Sequence, residues 1–177
     1  MRHIVLLRGI NLGARNRVSM PELREVLRRA GFEEVQTYLQ SGNVVLAAEE
    51  PPDKVAARCR RAITRALDLE IEVLARTRDE LAAVVGRNPL AKVATDPKRY
   101  QVSFLERELD AKLLAQLEEL AVAPERLVAI GRELYAWHPR GVARSKLWAR
   151  LADRRLGVAA TARNWTTVTK LLELADS

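Results

Sequence analysis

Cysteine is almost missing from this chain: Cys59 stands alone among 177 residues. An internal disulfide is therefore excluded, and with it the disulfide-framework class of small domains. Histidine is nearly as scarce, with His3 and His138 the two examples. No HExxH or CxxC spacing occurs, so nothing points to a zinc site. No GxxxxGKS/T loop occurs, so P-loop chemistry lacks its phosphate cradle. Aromatic residues make up 5% of the chain. No apolar run approaches the ~20 residues of a membrane helix. The apolar stretch Ile4–Leu7 ends at Arg8 and is too short for a signal-peptide core. The expectation is a cytoplasmic chain with no membrane partner and no implied cofactor or metal.

What is present is globular in character. Hydrophobic residues are 48% and charged residues 30% of the chain, enough for a packed core and too apolar for disorder. The formal net charge is +7. It is concentrated. Between Arg140 and Lys170 lie Arg140, Arg144, Lys146, Arg150, Arg154, Arg155, Arg163 and Lys170, with Asp153 the one acid. That stretch alone carries the whole +7, and the rest of the chain cancels. A concentrated positive field favours an anionic partner such as nucleic acid, a nucleotide or phosphate. It equally suits a solvated, arginine-rich face.

The hydrophobic pattern predicts an alternating order of strands and helices. His3–Leu7 reads as a buried strand. Ser19 and Glu22 form a capping box ahead of Met20, Leu23 and Leu27, and Gly31 stops that helix. Residues 34–39 and 43–47 form a hairpin around Gln40-Ser41-Gly42. A helix follows over 52–67, with Cys59 in the apolar series Val55, Cys59, Ile63, Leu67. A buried, inert thiol is the expectation there. Ile71–Arg76 is the next strand. The order βαββαβ is the ferredoxin-like split pattern. The second half partly repeats it. Thr77 and Glu80 open a short helix, and Asn88-Pro89 breaks the chain. A strand over 100–105, a helix over 110–121 and a hairpin over 126–130 and 133–138 follow. A basic helix over 145–156 and a last helix from Asn164 complete the reading as βαββα. The expected class is α+β: tandem ferredoxin-like (α/β plait) subdomains with extra C-terminal helices. Residues 1–77 form the first, and 78–177 form the second, with its basic helices.

Three stretches carry a family resemblance. The chain opens Leu7-Arg8-Gly9-Ile10-Asn11-Leu12-Gly13. The first hairpin reads Thr37-Tyr38-Leu39-Gln40-Ser41-Gly42-Asn43-Val44. Near the end stand Ser145-Lys146-Leu147, Leu156-Gly157 and Thr161-Ala162-Arg163-Asn164-Trp165-Thr166-Thr167. Together these resemble the bacterial family called domain of unknown function 1697, along essentially the whole chain. The resemblance implies two tandem ferredoxin-like units. It supplies no activity and no catalytic residue. The loop Gly13-Ala14-Arg15-Asn16-Arg17 departs from the family, which usually has a second glycine and lysines there.

Two groups of residues are candidate ligand sites. The topology brings the end of the first strand beside the first hairpin turn, so Arg8, Asn11, Gln40, Ser41 and Asn43 should converge. A cation, amides and a hydroxyl in one place suit a phosphate, carboxylate or nucleotide. The same residues also suit simple turn chemistry. The second group is Ser145, Lys146, Arg150, Arg163, Asn164 and Lys170. Lys146, Arg150 and Arg154 fall on one face of the expected basic helix. Arg163 precedes the last helix, whose N-terminus attracts anions. Bracing ion pairs are the competing role for Arg163 and Lys170. Phe104, Tyr135 and Trp137 lie on apolar strand faces, which favours core packing over base stacking. His3 and His138 sit at strand ends and read as structural residues, and Ser41 has no local base. The leading expectation is an anion-binding protein. A small-molecule enzyme acting on a phosphorylated or carboxylated metabolite and a protein-interaction scaffold are the alternatives.

Overall fold

The computed structural model describes residues 1–177. Strand β1 spans Arg2–Arg8, helix α1 Met20–Arg29, β2 Glu33–Tyr38, β3 Asn43–Ala47, α2 Pro52–Leu67, β4 Glu72–Thr77 and α3 Arg78–Arg87. The chain continues through β5 (Tyr100–Leu105), α4 (Ala111–Leu120), β6 (Arg126–Ile130), β7 (Glu133–Trp137), α5 (Lys146–Leu151), β8 (Ala160–Asn164) and α6 (Trp165–Asp176). It forms two four-stranded antiparallel sheets, ordered β2-β3-β1-β4 and β6-β7-β5-β8. Each sheet follows the same βαββαβ order, so the architecture is α+β with tandem ferredoxin-like topology.

Two compact units result. One comprises Met1–Ala83 with Lys170–Ser177, and the other Val84–Thr169.

In the first unit, Val5 and Leu7 of β1 face the same side as Val44 and Leu46 of β3. This side packs with Leu23 and Leu27 of α1 and Val55, Cys59 and Ile63 of α2. Ile4, Leu6 and Val45 on the other side are buried as well, so β1 reads as a continuous apolar run rather than an alternation. Helix starts follow their caps. Ser19 Oγ accepts from the Glu22 N–H at 3.3 Å. Thr77 and Glu80 cap reciprocally: Thr77 N–H donates to Glu80 Oε2 at 2.8 Å, and Glu80 N–H donates to Thr77 Oγ1 at 3.1 Å.

In the second unit, Leu105, Leu134, Ala136 and Ala160 form one buried sheet face with Leu117, Leu147 and Leu151. The opposite face holds Tyr100, Val102, Phe104, Tyr135 and Trp137, all buried. Tyr100 stacks on Trp165 at 4.9 Å, and the Tyr135 hydroxyl donates to the Val84 carbonyl at 2.8 Å. These rings are core, and they offer no open platform for stacked bases.

Two expectations need correction here. Residues 160–164 form a strand, β8, paired with β5 from Gln101↔Asn164 to Leu105↔Ala160; the second half is thus βαββαβ and not βαββα. The basic helix ends at Leu151 instead of Leu156. Ala152 terminates it, and Asp153 then caps a separate 3-10 turn, accepting from the Arg155 N–H at 2.8 Å. Arg154 therefore does not continue the Lys146–Arg150 helix face. No helix is long and apolar enough to cross a membrane.

Candidate functional site

The hairpin of β6 and β7 places one polar cluster. Its register runs from Ile130↔Glu133 to Arg126↔Trp137. Extended by one residue, it sets Glu125 opposite His138. The two meet: His138 Nδ1 donates to Glu125 Oε2 at 2.6 Å. Ser145, just ahead of α5, donates its hydroxyl to the same oxygen at 2.6 Å. That hydroxyl also accepts the Trp148 N–H at 3.0 Å, capping α5. One carboxylate oxygen thus ties the start of β6, the end of β7 and the start of α5 together. His138 is fully buried, with its ring edge-on to Trp148 at 5.9 Å.

A cavity of about 530 Å³ opens beside this cluster. Its walls are the segment leading into β6 and the segment linking β7 to α5. Val122, Pro124 and Pro139 supply apolar surface, and Glu125 and Ser145 reach it from the cluster. Arg140 and Arg144 also line it. Backbone hydrogen bonds hold the linking segment in shape. Gly141 N–H bonds the His138 carbonyl at 2.9 Å, Ser145 N–H bonds that of Val142 at 3.1 Å, and His138 N–H bonds that of Arg99 at 3.0 Å. Both arginines are exposed and neither has a carboxylate partner. A concave wall with two unpaired guanidiniums is chemically suited to a phosphate or carboxylate, which each fork can bind through two N–H groups.

The loop group of the first unit converges as the topology requires, but it bonds to itself. Asn11 Nδ2 donates to the Val18 carbonyl at 2.9 Å and the Gln40 carbonyl at 2.7 Å. Its Oδ1 accepts the Val18 N–H at 2.8 Å. Asn43 Nδ2 donates to the Tyr38 carbonyl at 2.8 Å and to Ser41 Oγ at 3.0 Å. Arg8 pairs with Glu72 at 3.0 Å. The Gln40 side chain is exposed. At Gly42, Leu7 and Ile10 fill the space where a Cβ would be. These bonds make the group a brace for the β1 end and the hairpin turn.

The sequence profile of a family described as a protein of unknown function, DUF1697, matches residues 1–135. The chain belongs to this family. The match covers the opening and hairpin motifs of the DUF1697 member and stops short of the Ser145 and Arg163 motifs. In fold it is similar to a conserved bacterial protein from Streptococcus pneumoniae. That similarity has a TM-score of 0.79 at 23% identity, over 98% of each chain. No curated protein matches the sequence.

The remaining sequence-derived candidates of this DUF1697 protein scatter. Lys146 is exposed next to Ser145. Arg150 is half-buried, with Nη1 donating to the Arg155 carbonyl at 3.3 Å. Arg155 is paired with Asp153 at 3.1 Å. Arg163 lies on β8 and is 9% exposed. Its Nη1 donates to Thr161 Oγ1 at 2.7 Å and to the Ala162 carbonyl at 2.8 Å. Burial lowers its pKa to about 10, so it stays cationic at neutral pH. Asn164 caps α6, accepting the Thr167 N–H at 2.9 Å. Lys170 pairs with Glu173 on its own helix at 3.2 Å. The +7 stretch is thus not one surface patch. Its unpaired, exposed members are Arg140, Arg144, Lys146 and Arg154. Ser145 is the sequence candidate that lands in the cavity, while Glu125 and His138 were not singled out as site residues. The hairpin register around Gly131 was the signal that pairs them.

Proposed function

We propose that this protein binds a phosphate-bearing anionic ligand in the cavity of its second unit, with Arg140 and Arg144 receiving the phosphate. One observation carries the reading: two guanidiniums line a concave wall without carboxylate partners. Arginine pairs readily with acids on protein surfaces, and elsewhere in this chain it does so repeatedly, as with Arg8, Arg58 and Arg78. Two that line a cavity and remain unpaired are available to an external anion. The apolar wall of Val122, Pro124 and Pro139 suits the carbon part of a nucleotide-sized molecule. The polar loop group of the first unit bonds within itself, which favours a structural role there over an enzyme site.

The same phosphate chemistry comes from a free nucleotide or from a nucleic-acid backbone, and titration separates them. Adenosine monophosphate and mixed DNA and RNA oligomers are titrated onto the protein over a salt series. Saturable, 1:1 binding of the mononucleotide, weakened at least tenfold in Arg140→Ala/Arg144→Ala, supports the small-ligand form. Oligomer binding with a steep salt slope, flattened in the same variant, supports the nucleic-acid form. Absence of binding by every probe at low salt, or full affinity in the double variant, overturns the reading.

A further inference from the structure

The cavity wall that carries two cations also carries a carboxylate, and its geometry is specific. Glu125 accepts both His138 Nδ1 and the Ser145 hydroxyl through Oε2, at 2.6 Å each. Oε1 receives no bond from the protein. The side chain retains 15% of its exposure, and it lines the cavity. The two bonds to Oε2 restrain the carboxylate, and Oε1 is the oxygen left without a partner on a side chain that lines the cavity. A fixed anionic acceptor repels a purely anionic guest. Its cost falls only if the guest brings a donor to meet it, because an ionised carboxylate partly removed from water is stabilised by charge-assisted bonds.

Resting on the phosphate-binding reading above, we infer that the ligand is zwitterionic: an amine-bearing phosphate monoester whose ammonium donates to Glu125 Oε1 while its phosphate meets Arg140 and Arg144. The wall then matches the guest in charge at both ends, cations against the anion and carboxylate against the cation. The cluster beneath is the positioning device. His138 and Ser145 do not touch the ligand's ammonium; they hold the oxygen that does not, and so orient the one that does. Ser145 couples this to α5, since it caps that helix in the same geometry.

A matched pair of probes tests the inference. O-phosphoethanolamine and propyl phosphate have the same length and anionic group, and differ in an ammonium replacing a methyl. By calorimetry the first should bind about tenfold or more tightly than the second, the scale of a charge-assisted hydrogen bond. Glu125→Gln should bring the two within about twofold of each other. Equal affinity of the two probes for the unaltered protein overturns the zwitterion while leaving phosphate binding intact. Failure of both probes to bind removes the underlying reading itself. A preference that survives Glu125→Gln overturns the assignment to Oε1. Should that variant not fold, a crystal structure with O-phosphoethanolamine decides. Its nitrogen must lie within hydrogen-bond distance of Oε1, and a nitrogen placed elsewhere overturns the inference.

Discussion

A Cβ added to Gly42 would stand 2.7 Å from the Cβ of Leu7. The hairpin turn and the end of β1 are packed against each other with no room for a methyl group. The Leu7 N–H also donates to the Gly42 carbonyl at 2.9 Å, so the contact is held from both sides. The backbone at Gly42 has φ of +90°, which side chains rarely adopt. Gly42→Ala should therefore destabilise by about 2–4 kcal/mol, combining backbone strain with overpacking. The urea midpoint measures it, and an unchanged midpoint would show that the turn yields freely.

The Cys59 thiol is fully buried within the α2 face of the first core. Burial pushes its pKa up to about 12. A thiol reagent at mildly alkaline pH should find almost no thiolate in the folded protein. Labelling should proceed only as fast as the first unit opens, and accelerate with added urea in step with unfolding. The raised pKa has a second consequence. Above the ordinary value of 9.0, the unfolded chain loses a proton that the folded chain keeps. Stability from this group is full below that value and declines as pH climbs toward 12. Cys59→Ala should flatten that part of the pH profile. Rapid labelling of the native protein would contradict this.

Ser145 serves two partners with one hydroxyl, accepting from Trp148 N–H and donating to Glu125. Ser145→Ala removes the cap of α5 and one of two bonds to a partly buried carboxylate. The expected loss is about 1–3 kcal/mol, read from thermal denaturation. Ser145→Asp keeps a capping oxygen but sets a second carboxylate against Glu125, so it should recover little. Ser145→Asn, a neutral cap, should recover more. Equal stability of the aspartate and asparagine variants would mean that the Glu125 charge is not felt there.

Asp176 closes the last helix through Arg78 Nε at 2.6 Å. The hydrogen bond from Arg78 holds its carboxyl below the ordinary 3.8. The folded state therefore binds this proton less readily than the unfolded one. The contribution is present above pH 3.8 and is lost as pH falls through the depressed value. Amide exchange over Lys170–Ser177 should quicken in that acid window. Asp176→Asn should make exchange there independent of pH once intrinsic rates are divided out. A wild-type profile that is equally flat would remove the pair from the account.

The fold was legible wherever local chemistry and hydrophobic period agreed. The Ser19 and Thr77 caps, the run Ile4–Leu7 and the stripe of Val55, Cys59 and Ile63 each mark one element unambiguously, and the structure has those elements. β8 escaped because Ala160-Thr161-Ala162-Arg163-Asn164 is small and polar, with the pairing to β5 supplying what propensity does not. The cap at Asn164 was correctly legible as a helix start, yet it drew attention away from the strand that it ends. The basic helix was read too long because Lys146, Arg150 and Arg154 keep helical spacing, while Asp153 offers its side chain to the backbone and starts a new turn. The site was less legible than the fold. Glu125, His138 and Ser145 are separated in sequence and become neighbours only through a hairpin register. The charge excess was visible as a total, but Asp153, Glu173 and the buried surroundings of Arg163 decide which of its members stay unpaired at the surface.

Two helices are divided between the compact units: α3 passes from the first to the second at Val84, and α6 begins at Trp165 within the second and ends at Asp176 within the first. Synthesis therefore runs in the wrong order for the first unit. When a ribosome has delivered Met1–Ala83, that unit still lacks Lys170–Ser177 and the Arg78–Asp176 bond. All of Val84–Thr169 must emerge before the missing piece does. The unit that starts first on the ribosome is the one that must finish last.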